Sequence, residues 1–97
     1  MMLGAMKNSI TIFEKEPSNF AVRKYTNAEK RKIVSYMKSF DPFAAMGMVE
    51  DCVTGKRRNE ENVGYTDGVF AWSSQDIYHI EEYDAAVADS FFNKIMQ

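Results

Sequence analysis

Hydrophobic residues recur at a helical spacing in the first half of this chain of 97 residues. Ile33, Met37 and Phe40 lie at positions i, i+4 and i+7, which form one face of an α-helix. A capping box, Thr-Asn-Ala-Glu, begins at Thr26, and Pro42 disfavours the helical conformation at the residue before it. The pattern therefore predicts a helix that begins after Thr26 and ends near Phe40.

Two further helices are predicted towards the C-terminus. Ser73 begins a second capping box, Ser-Ser-Gln-Asp, which predicts a short helix over residues 74–83. Apolar residues from Val87 to Ile95 follow the spacing i, i+1, i+4, i+5 and i+8, again the repeat of a helix face. We therefore expect a last helix over residues 85–96.

Short β-prone runs predict two hairpins. Residues 10–13 and 20–25 are expected to pair as strands around a turn at residues 14–19. Asp67 and Gly68 stand between β-prone runs within residues 63–72, which predicts a second hairpin. We expect its turn to be of type I′, with both of these residues at positive φ.

The middle of the chain is compatible with either a strand or a helix. Alternation over residues 44–53 favours a strand, and a helix over residues 43–52 is the alternative. Residues 56–61 are predicted to be an exposed, mobile polar loop.

These elements do not alternate as βαβ units. They predict an α+β protein with an antiparallel sheet of three or four strands and about three helices. We expect a flexible N-terminal tail at residues 1–8 and a single domain over residues 9–97.

The composition and the single cysteine indicate the class of protein and the compartment in which it would fold. Hydrophobic residues make up 45% of the chain and charged residues 27%, as in soluble proteins. Cys52 is the only cysteine, which excludes an intrachain disulfide and fits a reducing compartment. No apolar run approaches the ~20 residues that cross a bilayer, and we expect residues 1–6 not to be a secretory signal, because they are short and have no cationic leader. We therefore expect a cytoplasmic protein that does not associate with membranes.

Charge is distributed unevenly. Residues 1–58 contain 11 Lys/Arg and 6 Asp/Glu, a balance of +5, whereas residues 59–97 contain 1 and 8, a balance of −7. The acidic half would repel nucleic acid and anionic lipid and would suit a cationic protein. The alternatives are that the two halves neutralise each other in the fold, or that the charges are solvated.

Few residues could support catalysis or metal binding. A nucleophile pair of Cys52 and His79 would need a hydrogen bond and a third orienting group. His79 with Asp76 and Glu82 could form a metal patch, but zinc sites use more His and Cys than this chain offers. Carboxylates on a solvated helix lack the apolar pocket that acid catalysis requires. We therefore predict no catalytic residue, no metal and no cofactor.

Tyrosines and carboxylates concentrate after residue 59, the composition of a protein interface with aromatic anchors and a charged rim. Phe70 and Trp72, on one strand face, are expected in the core instead. Ion pairing of the carboxylates with the chain's own lysines and arginines would remove such a surface. The predicted partner-binding residues are six rim carboxylates and three tyrosine anchors: Glu60, Glu61, Asp76, Glu81, Glu82, Asp84, Tyr65, Tyr78 and Tyr83.

A resemblance covers residues 47–96. Residues 65–74 read YTDGVFAWSS. This segment is similar to a Tyr-x-Asp-Gly-x-(Phe/Trp)-x-Trp hairpin found in small bacterial proteins. In those proteins a short helix with paired tyrosines follows, as at Tyr78 and Tyr83 here, and then a closing helix. Residues 51–56 resemble their Asp-x-Val-Thr-Gly-Lys turn. In many of those proteins a proline-containing link precedes the last helix. Residues 85–88 replace that link here, so the last helix is expected to begin earlier.

Some proteins with this pattern resemble immunity proteins of bacterial toxin systems, including contact-dependent growth inhibition. The resemblance implies a non-catalytic protein that neutralises a cognate toxin, a cationic nuclease, by electrostatic contact as a monomer or weak homodimer. No catalytic residue is implied. Two alternatives stay open: a small self-associating structural or regulatory module, and an enzyme that uses Cys52 and His79 or a carboxylate site.

Overall fold

Three helices and one four-stranded sheet make up residues 10–12 and 21–97, the part of the chain that the computed structural model describes. The sheet order is β1-β4-β3-β2; β2, β3 and β4 are antiparallel, and β1 lies parallel to β4. The predicted α+β class is confirmed. The elements in chain order are β1 (Ile10–Thr11), α1 (Asn27–Lys38), β2 (Ala44–Glu50), β3 (Arg57–Thr66), β4 (Phe70–Ser73), α2 (Ser74–Tyr83) and α3 (Asp89–Met96).

Both predicted capping boxes begin helices. The Thr26 hydroxyl accepts the amide of Glu29 at 3.0 Å, and the Glu29 carboxylate accepts the amide of Thr26 at 2.9 Å. Ser73 and Asp76 make the same reciprocal pair at the start of α2. Helix α1 ends at Lys38, close to the predicted end, and α2 has the predicted bounds.

The last helix begins at Asp89, so the expected start at residue 85 is wrong. Residues 85–88 are held instead by the N-terminal part of the chain. Ala85 forms an isolated antiparallel bridge with Val22, and the amide of Ala88 donates to the carbonyl of Ile12 at 2.6 Å. A helix over residues 85–88 would break these bonds, so tertiary contacts override the helical spacing of the apolar residues.

Of the remaining predictions for strands and loops, two need correction and one is confirmed. Residues 21–25 form only the bridge at Val22, and β1 pairs with β4, so the first predicted hairpin does not form. Strand β3 begins at Arg57, so residues 57–61 are an exposed strand and not a loop. Strand β2 confirms the strand favoured within residues 44–53, although it ends at Glu50. The predicted tail at residues 1–8 and turn at residues 14–19 lie outside the described residues.

The turn between β3 and β4 lies one residue later than predicted. The amide of Asp67 donates to the carbonyl of Phe70 at 3.2 Å, so Gly68 and Val69 are the two central residues. Gly68 has a φ of 96°, and Asp67 does not have a positive φ. A glycine at the first central position is typical of type II′ rather than type I′.

The core lies between the sheet and the three helices, each of which contributes buried side chains. Phe70 and Trp72 are buried, as predicted, and their ring centroids lie 5.0 and 5.4 Å from that of Phe91 in α3. The Trp72 indole N–H donates to the carbonyl of Met37 in α1 at 3.0 Å. This bond satisfies the one polar group of the indole and fixes α1 against the sheet.

Asp67 ties the β3–β4 turn to two helices. Its Oδ1 accepts the amides of Val69 and Phe70 at 2.9 and 2.8 Å, and its Oδ2 accepts the Tyr36 hydroxyl at 2.5 Å and the Lys94 ammonium at 2.8 Å. The side chain is 2% exposed. Burial raises the pKa of Asp67, but the bonds from Lys94 and Tyr36 outweigh it and lower the pKa to about 2.

We expect Asp67→Asn to lower the free energy of unfolding at neutral pH by about 1–2 kcal/mol. A carboxyl whose pKa falls from 3.8 to about 2 on folding stabilises the protein above its unfolded pKa and loses that contribution as the pH falls through the folded value. The variant should therefore lose less stability than the parent between about pH 5 and pH 2.

Chemical denaturation at neutral and acid pH measures both effects. Asp41→Asn, at an exposed carboxylate, is the matched control and should leave both values near those of the parent. An Asp67→Asn variant with the pH dependence of the parent would contradict this role.

Candidate functional site

Helix α2 and strand β3 together carry the predicted partner-binding residues. Asp76, Tyr78, Glu81, Glu82 and Tyr83 lie on α2 and Asp84 follows it, whereas Glu60, Glu61 and Tyr65 lie on β3. The first turn of α2 is bound to β3 at two points. The amide of Val63 donates to the Ser74 hydroxyl at 3.1 Å, and the amide of Gln75 donates to the Asn62 side chain at 2.9 Å.

A depression of about 280 Å³ lies between α2 and β3. It brings together four of the nine predicted residues, two carboxylates and two aromatic rings, with the end of α1 beside them. We call it the α2–β3 depression. Its lining residues are Lys38, Glu60, Tyr65, Ser74, Ile77, Tyr78 and Glu81.

A second groove, of about 410 Å³, lies between α1 and α2. Lys30 and Arg31 of α1 face Glu81 and Glu82 of α2 across it. Glu81 borders both concave surfaces. The groove mixes both signs of charge, so it has no clear preference for a charged ligand.

Ion pairs between the two charged halves neutralise part of their charge among the described residues. Of the five ion pairs among the described residues, four join a cation of residues 1–58 to a carboxylate of residues 59–97. The sequence left open the alternative that the two halves neutralise each other. These four pairs support that alternative for much of the charge difference between residues 1–58 and residues 59–97. The four pairs are Arg23–Asp89, Lys30–Asp84, Lys38–Glu81 and Arg58–Glu60.

Three of the six predicted rim carboxylates belong to these pairs. Glu60, Glu81 and Asp84 keep 53, 42 and 39% of their side chains exposed, and surface pairs of this kind contribute about 0–1 kcal/mol each. Glu61 and Glu82 are exposed and form no ion pair with any described residue. The rim is therefore weakened as a purely electrostatic surface, although its carboxylates stay accessible.

Asp84 and Asp76 have roles at the ends of α2. Asp84 ends the helix at a φ of 55° and contacts Lys30, whose ammonium also donates to the Glu81 carbonyl at 3.2 Å. The Asp76 carboxylate accepts the Ser73 amide at 2.9 Å within the capping box. Burial raises the pKa of Asp76 to about 6. Because this carboxylate points inward, its placement does not support a rim role for Asp76.

The hydroxyls of two predicted anchors bind a buried carboxylate. Tyr78 and Tyr83 donate to Asp51 Oδ2 at 2.7 and 2.5 Å. Asp51 Oδ1 accepts the amides of Val53 and Thr54 at 2.8 and 3.0 Å. Burial raises the pKa of Asp51, but the four hydrogen bonds outweigh it and hold that pKa well below its usual range. The loop between β2 and β3 is thereby fixed onto α2.

Asp51 is the residue of this candidate site that sequence reasoning missed. Its place in the turn of residues 51–56 was visible, but its tyrosine partners lie 27 and 32 residues further along the chain. A short polar side chain followed by a glycine signals only the local turn. The paired tyrosines of α2 gave the remaining signal, because the hydroxyl of a partly buried tyrosine usually finds a hydrogen-bond partner.

His79 and Cys52 do not form a nucleophile pair. His79 is fully buried; its Nε2 accepts the backbone amide of Cys52 at 2.9 Å, and its Nδ1 lies 2.7 Å from the Gln75 carbonyl. These partners assign the proton to Nδ1. Burial, together with the charges of Glu50 and Asp51, raises the pKa of the Cys52 thiol, which disfavours the reactive thiolate.

The described residues contain no cluster of three His, Cys, Asp or Glu side chains placed to hold a metal ion. Within the same part of the chain, no helix has the length and apolar character needed to cross a membrane. Comparisons with protein-family models, with curated proteins and with solved structures found no match.

We expect Asp51→Asn to lower Tm and to speed hydrogen exchange at the amides of Val53 and Thr54. The neutral amide is a weaker acceptor than the carboxylate, so the bonds from Tyr78 and Tyr83 also weaken. Thermal unfolding and amide exchange measure the two effects. Asp41→Asn, which removes the same charge from an exposed site, should change neither. Unchanged exchange in the Asp51→Asn variant would show that the loop does not depend on this carboxylate.

Proposed function

We propose that this chain is a non-catalytic bacterial immunity protein, which neutralises a cognate toxin in the cytoplasm by protein–protein contact, and that the toxin is a nuclease with a cationic surface. The observation that carries this proposal is the α2–β3 depression, which gathers Glu60, Tyr65, Tyr78 and Glu81 on two rigid elements. Aromatic anchors beside carboxylates are the composition of interface hot spots. The sequence resemblance to immunity proteins supports the same function.

The tyrosine rings are fixed before any partner binds. Because Tyr78 and Tyr83 donate to Asp51, rotation of each ring about its side-chain bonds is restricted. An ordered side chain avoids an entropy loss of about 0.5–1.5 kcal/mol on binding. The same hydrogen bonds leave the ring of Tyr78 at the surface of the depression. A preorganised aromatic surface of this kind favours binding.

Polar groups in the interior are occupied by structural bonds. Asp51 and Asp67 each accept four hydrogen bonds, and both ring nitrogens of His79 have backbone partners. Using any of these groups as an acid, base or nucleophile would break bonds that hold the fold together. Their placement therefore supports a binding function over a catalytic one.

Two of the carboxylates that a cationic partner would contact already have a cation of this chain beside them. Lys38 and Arg58 lie beside Glu81 and Glu60, so an incoming cation must replace them. Such an exchange gains less than a new ion pair would, whereas the unpaired Glu61 and Glu82 contribute fully to attraction at long range.

We expect a double variant, Glu81→Lys with Glu82→Lys, to weaken toxin binding at least about tenfold at low salt and to flatten its salt dependence. The charge reversal repels a cationic surface, whereas loss of the Lys38 pair costs only about 0–1 kcal/mol of stability. The toxin to use is the protein encoded beside this chain in its genome. Growth after co-expression and the Kd at several salt concentrations measure the effect.

The matched control is Asp41→Lys with Asp89→Lys, which changes the net charge equally at two exposed carboxylates outside α2 and also breaks one surface ion pair, Arg23–Asp89. This control should still restore growth. If the chain does not protect cells from the neighbouring protein, the immunity function is wrong. If it protects them equally after charge reversal at α2, the proposed surface is wrong.

One observation favours self-association as a second candidate. Strand β2 lies at an edge of the described sheet and exposes Met46 and Met48. A second copy could pair with this edge. Gly47, at a φ of 85°, lies within the shift of register between Ala45 and Met48, so it interrupts the edge and limits such pairing. A molar mass that rises with concentration in light scattering would support this candidate, and a constant monomer mass would exclude it.

A further inference from the structure

We propose that the α2–β3 depression receives one arginine side chain of the partner protein. The inference rests on the proposed function and adds the chemistry that the site recognises. Glu60 on β3 and Glu81 on α2 provide two carboxylates, and Tyr65 and Tyr78 provide two rings. A volume of about 280 Å³ lies just below the usual range for small-molecule sites, about 300–1,000 Å³. One side chain suits this space better than a cofactor does.

The chain's own cations already make the proposed contacts at the border of the depression. The guanidinium carbon of Arg58 lies 4.7 Å from the centre of the Tyr78 ring, and its Nε lies 3.4 Å from a carboxylate oxygen of Glu60. This one arginine combines ring stacking with a carboxylate contact. A partner arginine would use the same chemistry inside the depression.

Arg58 is the resident competitor at Glu60, and Lys38 is the resident competitor at Glu81. The Lys38 ammonium lies 3.6 Å from Glu81 Oε2, and 55% of its side chain is exposed. A pair this long and this solvated is weak, so Lys38 can move into solvent when another cation approaches. Glu81 would then exchange an ammonium contact for a guanidinium contact.

The arrangement favours arginine over lysine. A guanidinium is planar, so it can stack on a tyrosine ring while its N–H groups reach carboxylates at its edge. A guanidinium is also less strongly hydrated than an ammonium, so it loses less hydration free energy when it leaves water. Carboxylates on two sides of a ring-lined depression match this fork of donors.

N-acetyl-arginine amide is the probe, and its neutral isostere N-acetyl-citrulline amide is the control ligand. NMR titration of the full chain should show shifts at Tyr65 and Tyr78 with a Kd of about 1–10 mM for arginine, which is typical of one isolated side chain. The citrulline compound should give no saturable shift. N-acetyl-lysine amide should bind several-fold more weakly than arginine.

Two variants test the mechanism of recognition. Glu81→Gln should weaken arginine binding at least about fivefold, since it removes one carboxylate. Lys38→Gln should strengthen it about threefold, since it removes the competitor at Glu81. Asp41→Asn, far along the chain from α2 and exposed, should leave the Kd unchanged. Tm values of all variants identify any loss of fold.

Equal shifts with citrulline, equal or tighter binding of lysine, or no arginine shift at about 100 mM in either the parent or Lys38→Gln, would overturn the proposal. The outcome is separable from that of the proposed function. If the toxin binds and Glu81→Lys with Glu82→Lys weakens it, but the probe fails, then the interface stands and arginine recognition does not. If the probe binds but the chain gives no protection, the site stands and the immunity function fails.

Discussion

The candidate surface depends on a buried carboxylate that forms no ion pair with the lysines and arginines of residues 21–97. Asp51 Oδ1 accepts two amides of its own loop, and Oδ2 accepts two phenols of α2. Asp67 repeats this arrangement at the other hairpin, where Oδ1 accepts two amides and Oδ2 accepts the Tyr36 hydroxyl and Lys94. A charged acceptor makes hydrogen bonds roughly twice as strong as a neutral one. The same chemistry therefore fixes both hairpin turns to helices and sets the positions of the rings.

The charged side chains of this molecule act first through ion pairs within the chain. Four pairs connect the basic first part of the chain to the acidic second part, and Lys30 also satisfies a carbonyl at the end of α2. Each pair is weak because it is solvated, so the carboxylates can change partners at low cost. A partner would gain selectivity from the arrangement of charges and rings, and less from net charge alone.

Sequence reasoning succeeded where the determinants are local. Capping boxes at Thr26 and Ser73 placed the starts of α1 and α2, and the alternation around Phe70 and Trp72 identified the core strand. It failed where contacts far apart in sequence decide the structure. Residues 85–88 have the spacing of a helix but bind the N-terminal part of the chain, and the charged residues 57–61 become a strand because β2 lies beside them. For the site, the sequence placed the acids and tyrosines of α2 on a helix and Tyr65 on a strand, but it placed Glu60 and Glu61 in a loop. The internal partners of all these side chains depend on the tertiary fold.

Trp72 makes the assembly of this fold observable in solution. It is the only tryptophan of the chain, 3% exposed, and its indole is bonded to a backbone carbonyl of α1. Its fluorescence therefore comes from a single environment, at the point where a helix meets the sheet. Emission from this one fluorophore should shift to longer wavelength when α1 detaches, without any added label.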